Sequence, residues 1–190
     1  RLERAFGGIS VQEMSAVADP AHNNSRREDS FYLLGVDVKD KSTLEEGLEA
    51  SIAPEIIEYS WLDDGRREPT SMRVRIKRAP RHLLVHLKRF EFDFETLTQR
   101  KINTRLEFPP VLDLAPYMTE DTDDLDAGAA TCLFDLGGVV AHAGTAHSGH
   151  YYSFVKDEAT GEWFELNDAF VGRFDVDQEL AAECFGGPEP

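Results

Sequence analysis

Two cysteines in 190 residues, Cys132 and Cys184, exclude a disulfide framework and a four-cysteine zinc site, and they fit a reducing, intracellular compartment. No run approaches the roughly 18 uninterrupted apolar residues of a membrane span, so no membrane partner is expected. The N-terminus carries neither a signal-peptide core nor an initiator Met, and the chain reads as a piece cut from a longer protein. Basic residues are scarce. Lys and Arg number 20 against 36 Asp and Glu, and the net charge of −16 repels nucleic acid and anionic lipid while favouring a basic partner. No internal repeat is visible.

What is present suffices for one soluble globular domain with a sizeable core, since 41% of the residues are apolar. The charge is unevenly divided. Residues 66–105 hold twelve Lys or Arg and four acids, a net of +8, which leaves −24 on the remainder.

Strand patterns dominate. Met72, Val74 and Ile76 alternate with Arg73, Arg75 and Lys77, the period of two for a strand with one wet face, read here as a solvated sheet edge. From His82 the apolar positions are 83, 85 and 87, but beyond them Phe90, Phe92 and Phe94 take the other parity. A flip near Lys88-Arg89 predicts a bulge, a sharp twist or a strand that leaves one sheet for another. A turn over Glu95–Arg100 and a return strand through Ile102, Thr104, Leu106 and Phe108 follow, stopped by Pro109-Pro110. Helix signals are few. Thr43-Leu-Glu-Glu46 has capping-box spacing, and a second helix is expected after Asp175, ended by Gly186-Gly187. Residues 119–131, with five acids and almost no large apolar side chain, are expected to form a mobile loop, and residues 15–30 look similarly loose.

The residues capable of chemistry lie in 137–171. Gly137 to Val140 leads as a strand into a Gly/Ser/Thr/His loop, and Tyr151 to Lys156 leads out of it. Asp157 to Thr160 is turn material, and Gly161 to Asp168 suits a returning antiparallel strand. With Lys156 paired to Gly161, His150 faces Asn167; a slip of one residue would substitute Asp168. An imidazole oriented by a carboxamide or carboxylate is part of a nucleophilic triad, because the partner fixes the tautomer and leaves the other ring nitrogen free to take a proton. On these residues alone, a His–Asn pair that merely closes a hairpin end remains the stronger reading. Cys132 and Cys184 read as small core residues rather than as the missing nucleophile. His142, His147 and His150 fall within nine residues and invite a zinc reading, ranked low because no acid or cysteine nearby completes a fourth ligand.

Five runs then meet a family. Leu84 to Phe90, Lys101-Ile-Asn103 with Phe108-Pro109, His142-Ala-Gly-Thr145, Gly149 to Phe154, and Trp163 to Val171 resemble, in order and spacing, the C-terminal half of the ubiquitin-specific protease catalytic domain. Phe31 to Val36 and Thr43 to Leu48 more weakly resemble its fingers-to-palm segment. The resemblance implies an α+β fold, mostly antiparallel β, the fingers and palm of a papain-like cysteine protease. It divides the chain into a fingers-like segment (1–78) and a palm (79–190). His150 resembles the family's general base, Asn167 its third triad member and Asp168 the adjacent support. Tyr151, Gly149, Ser148 and His142 correspond to the border of the channel for the ubiquitin tail, together with the turn 95–100.

Two departures stand out. The family's nucleophile motif, a Gly-Asn-Thr-Cys-Tyr-like run, has no match in residues 1–190. The isolated chain is therefore expected to be inactive, with the nucleophilic Cys in an N-terminal segment of the same catalytic domain or absent from the parent protein. The zinc-binding Cys-x-x-Cys pairs of many members have no counterpart near 9–27 and 55–72, so neither metal nor other cofactor is expected. The implied partners are ubiquitin and ubiquitinated proteins, met by the acidic portion of the chain in the cytoplasm or nucleus. The rival classes are a catalytically inactive ubiquitin-binding scaffold with the same fold and, more weakly, a metal-dependent hydrolase using the histidine trio.

Overall fold

The computed structural model describes residues 2–62, 64–121 and 132–187; the loop expected over 119–131 falls, from residue 122 onward, outside the described residues. In chain order the elements are α1 (Leu2–Phe6), β1 (Gly8–Ala16), β2 (Asn24–Phe31), β3 (Leu34–Asp37), α2 (Leu44–Ile52), β4 (Glu55–Tyr59) and β5 (Glu68–Arg78). Then come β6 (Val85–Lys88), β7 (Phe90–Asp93), β8 (Thr98–Lys101), β9 (Val111–Asp113), a 3-10 turn (Ala115–Tyr117) and β10 (Leu133–Asp135). The chain finishes with β11 (Gly138–Gly144), β12 (Gly149–Lys156), β13 (Trp163–Asn167), β14 (Phe170–Phe174) and α3 (Val176–Glu183). Two compact units are built from interleaved stretches, one from 1–36, 47–86 and 113–134, the other from 37–46, 87–112 and 135–190.

The first unit is organised on an antiparallel sheet of order β2-β1-β5-β4, with Val11, Ala16, Ile76 and Thr70 buried. Two expectations fail here. Residues 15–30 are not loose: Ala16 ends β1, and residues 24–31 pair along it from Ser15↔Asn24 to Gly8↔Phe31. β2 is an edge strand whose side chains are almost all exposed and polar, so backbone pairing holds it and no apolar alternation marks it. β5, conversely, is interior rather than an edge. Its Arg73 and Arg75 donate to the Glu13 carboxylate on β1 at 2.8 and 3.2 Å, and Lys77 donates to Glu28 on β2 at 2.7 Å. The basic stripe is thus answered by acids from the adjacent β1 and from β2 beyond it.

Near the β4–β5 connection, Thr70 is fully buried and fully used. Its hydroxyl accepts from Trp61 Nε1 at 3.0 Å and donates to the Glu68 carbonyl at 3.2 Å. Tyr59 packs edge-on against Trp61, ring centroids 4.9 Å apart. Thr70→Val keeps the shape but strands the indole N–H, and is expected to cost about 1–3 kcal/mol in equilibrium urea unfolding.

In the second unit an antiparallel sheet of order β11-β12-β13-β14 carries the core on one face. Phe154, Trp163 and Phe174 are buried, with Val139, Ala141, Tyr152, Val176 and Cys184 packed around them. The Phe154 and Phe174 rings lie 4.1 Å apart. Each large side chain so buried contributes about 1.5–3 kcal/mol relative to exposure. α3 starts as its sequence predicts, with Asp175 as N-cap accepting from Gln178 N–H at 3.3 Å, while Gly186 (φ +74°) follows its end.

The parity flip at Lys88-Arg89 is a change of sheet: β6 pairs with β3, and β7 pairs with β8. The return strand is displaced from its expected place. β8 covers 98–101 and the turn is 94–97, whereas 102–106 form no ladder. Their backbone groups are satisfied differently. The Arg89 guanidinium donates to the carbonyls of Ile102 (3.0 Å), Thr104 (2.8 Å) and Phe185 (3.1 Å), and Leu106 N–H donates to Phe185 at 2.8 Å. α2 begins with half of the expected box: Glu46 N–H donates to Thr43 Oγ1 at 3.2 Å, but the Glu46 carboxylate accepts from the N–H of Ser42, one residue before the cap, at 2.7 Å.

Candidate active site

The histidine loop is a hairpin whose tip is closed by its own small residues. Thr145 N–H donates to the Ser148 carbonyl at 2.8 Å, and the N–H groups of His147 and Ser148 donate to Thr145 Oγ1 at 3.3 and 3.2 Å. Gly144 has φ +108°, and a Cβ there would sit 2.6 Å from the Ser148 carbonyl oxygen. A methyl on Gly149 would overlap the His142 ring and the Ala143 carbonyl. Both glycines are thus required by close approach.

Across the hairpin the register is His142↔Tyr151 and Ala143↔His150. The His142 ring meets Tyr151 in a tilted contact (centroids 4.6 Å) and Phe90 of β7 edge-on (5.4 Å). Burial, assisted by the nearby Lys101 ammonium, pushes the His142 imidazole below the usual histidine range, which favours its neutral form. Lys101 Nζ donates to the carbonyls of His142 (2.7 Å) and Gly144 (3.0 Å), tying the end of β8 to the base of the histidine loop.

His150 and Asn167 do come together, though in a register other than the expected one. Lys156 pairs with Trp163, not Gly161, and the ladder continues through Phe154↔Glu165 to Ser153↔Leu166. The connection is longer because Gly161 N–H donates to the Asp157 carbonyl and Asp157 N–H to the Glu162 carbonyl, folding 157–162 into a wider loop. A shift of two residues preserves strand parity. Asn167 therefore remains on the face of His150 as a diagonal neighbour, within reach of a long side chain. His150 Nε2 and Asn167 Oδ1 are 2.7 Å apart. Asn167 Nδ2 in turn donates to Glu165 Oε1 at 3.3 Å, which leaves the amide oxygen toward the ring. Nε2 is then the donor, and the tautomer this selects is the one whose Nδ1 presents a lone pair. The His150 side chain is 47% exposed, so the imidazole is open to an incoming group.

Asp168 occupies the two-residue turn between β13 and β14 at φ +52°, a left-handed position that Asp tolerates. Its carboxylate lies 3.9 Å from His150 Nε2, a looser neighbour than Asn167. Ser148 and Gly149 serve the turn through their backbone. His147 is exposed on the loop, and among the described residues no group of three His, Cys, Asp or Glu side chains is gathered as a metal site. Cys184 packs against the Phe154 core, where burial and then Glu183 push its thiol up to about 12, and Cys132 lies 3.3 Å from the Met118 sulfur. Phe90, Lys101 and Glu165 were not read as site residues from the sequence. Only Glu165 carried a readable signal, being two residues before Asn167 on one strand face.

The antiparallel α+β chain is consistent with the papain-like fold that the resemblance implies, and comparison with known proteins fixes the family. The family profile described as "Ubiquitin carboxyl-terminal hydrolase" matches residues 3–184. The probable ubiquitin carboxyl-terminal hydrolase FAF of Drosophila melanogaster is 32% identical over 208 residues, covering 98% of this chain and 8% of that protein. Human ubiquitin carboxyl-terminal hydrolase 24 is 33% identical over 216 residues, again covering 98% of this chain and 8% of its own. Among solved structures, a chain of the SAGA DUB module Ubp8/Sgf11/Sus1/Sgf73 bound to monoubiquitin superposes with a TM-score of 0.81 at 27% identity, covering 97% of this chain and 40% of that one. The chain belongs to the ubiquitin carboxyl-terminal hydrolase family, and it spans a small fraction of the length of the curated relatives it matches.

Proposed function

We propose that this chain supplies the proton-handling half of a thiol-dependent ubiquitin hydrolase that cleaves the isopeptide bond after the ubiquitin C-terminal glycine. The observation that carries the reading is the 2.7 Å contact between His150 Nε2 and Asn167 Oδ1 beside an open ring edge. In the reaction, His150 Nδ1 accepts the thiol proton as sulfur bonds to the carbonyl carbon. It returns that proton to the lysine amine as the carbon–nitrogen bond breaks, and water then hydrolyses the acyl-enzyme. Asn167 holds the ring's tautomer, and Asp168 supports it from the turn. Tyr151, His142, Gly149 and Ser148 border the tail channel.

The sulfur belongs to an N-terminal segment of the catalytic domain, outside these residues. Cys184 is unsuited, because a thiol pushed up to about 12 is almost wholly protonated near neutrality. Ubiquitin and ubiquitinated proteins are the partners, steered by the acidic excess of the chain in the cytoplasm or nucleus. Full-length protein treated with ubiquitin bearing a thiol-reactive C-terminal warhead is expected to form a covalent adduct. Absence of any adduct would favour the alternative, a ubiquitin-binding scaffold that retains the fold without turnover.

A further inference from the structure

We propose that Glu165 is a positioning residue that decides which ring nitrogen of His150 acts as the base, an inference that rests on the reading of His150 given above. A carboxamide is ambivalent, since Asn167 can offer His150 Nε2 either its oxygen or its NH2 group. With the oxygen inward, Nε2 holds the proton and Nδ1 is free to accept one. With the NH2 inward, Nε2 must accept, the ring proton moves to Nδ1, and the nitrogen needed for the thiol is blocked. The two orientations differ by a half-turn and have nearly the same shape, so sterics do not choose between them.

Glu165 makes the choice. Its Oε1 lies 3.3 Å from Asn167 Nδ2, and an ionised carboxylate has only acceptors. A turned amide would set oxygen against oxygen at that distance. The pairing follows from the strand: residues 165 and 167 share one face of β13, and Glu165 stands opposite Phe154 on β12 and Gly172 on β14. Both side chains are half-buried, which limits competition from water and strengthens the contact. An aspartate at position 167 would need no such neighbour, because it can only accept.

That asymmetry supplies the test. Turnover of a fluorogenic ubiquitin C-terminal substrate is measured for the full-length protein, for Glu165→Ala, for Asn167→Asp and for the double variant. Glu165→Ala is expected to lower kcat about two- to tenfold with KM changed less than about twofold. Glu165→Gln, which keeps an acceptor oxygen, loses less. In the Asn167→Asp background, Glu165→Ala costs nothing, or raises kcat by removing a like charge. Equal losses in the two backgrounds, an unchanged kcat in Glu165→Ala, or an Asn167→Asp enzyme without turnover would each overturn the inference. His150→Ala measured alongside separates the two readings. Its retained turnover would remove the base itself, whereas its loss with an indifferent Glu165→Ala removes only the role of Glu165.

Discussion

His150→Ala in the full-length protein is expected to lower kcat for ubiquitin C-terminal hydrolysis by about 10²- to 10⁴-fold, the range general acid–base groups contribute. KM should change little, because in the proposed role the imidazole would meet the reacting atoms rather than the body of ubiquitin. Asn167→Ala should cost less than His150→Ala. It leaves a competent base whose ring is free to turn, with Asp168 at 3.9 Å as a looser anchor. Steady-state kinetics of the two variants check both the size and the order. A His150→Ala enzyme as fast as the parent would remove the base from the scheme, and with it the meaning given to the Asn167 contact.

The second large effect is expected at Gly149. A single methyl there would overlap the His142 ring and the Ala143 carbonyl, and neither has an easy retreat. The ring is in contact with both Phe90 (edge-on) and Tyr151 (tilted), and Ala143 is paired with His150 in the ladder. Gly149→Ala should therefore destabilise by about 1–3 kcal/mol, as overpacking does, and depress kcat because the displaced backbone carries His150. Gly137→Ala is the control. Nothing lies within 4 Å of a Cβ at Gly137, so its stability and turnover should stay near the parent's. Equal effects at the two glycines would contradict the close-approach argument and point to backbone flexibility instead.

The His150–Asn167 proximity at the candidate site was legible in the sequence to the extent that strand parity carries it. The alternation from His150 to Lys156 and from Trp163 to Asn167 set which residues share a face, and parity survives a register error of two. The register itself was not legible, because loop length depends on hydrogen bonds within 157–162 that composition does not announce. Apolar alternation located β5 but not its neighbours. Its Arg73, Arg75 and Lys77 look like those of an exposed edge until Glu13 of β1 is brought beside the arginines and Glu28 of β2 beside the lysine. β2 itself has no buried face to announce it. Residues 102–106 read as a strand because Ile102, Thr104 and Leu106 alternate, yet carbonyls of this stretch face the Arg89 guanidinium and the 185–187 segment, a long-range arrangement that no local pattern encodes. The same holds for Lys101, whose ammonium finds carbonyls 41 and 43 residues away.

The central claim is that an imidazole, held at Nε2 by a carboxamide, offers Nδ1 to a sulfur carried outside these residues. It is tested most directly by an experimental structure of the full-length protein linked to a thiol-reactive ubiquitin probe. The account predicts the probe-bearing sulfur within hydrogen-bonding reach of His150 Nδ1, with Asn167 Oδ1 still on Nε2. A probe-bearing sulfur remote from His150, or an Asn167 turned away from the ring in the adduct, would contradict it.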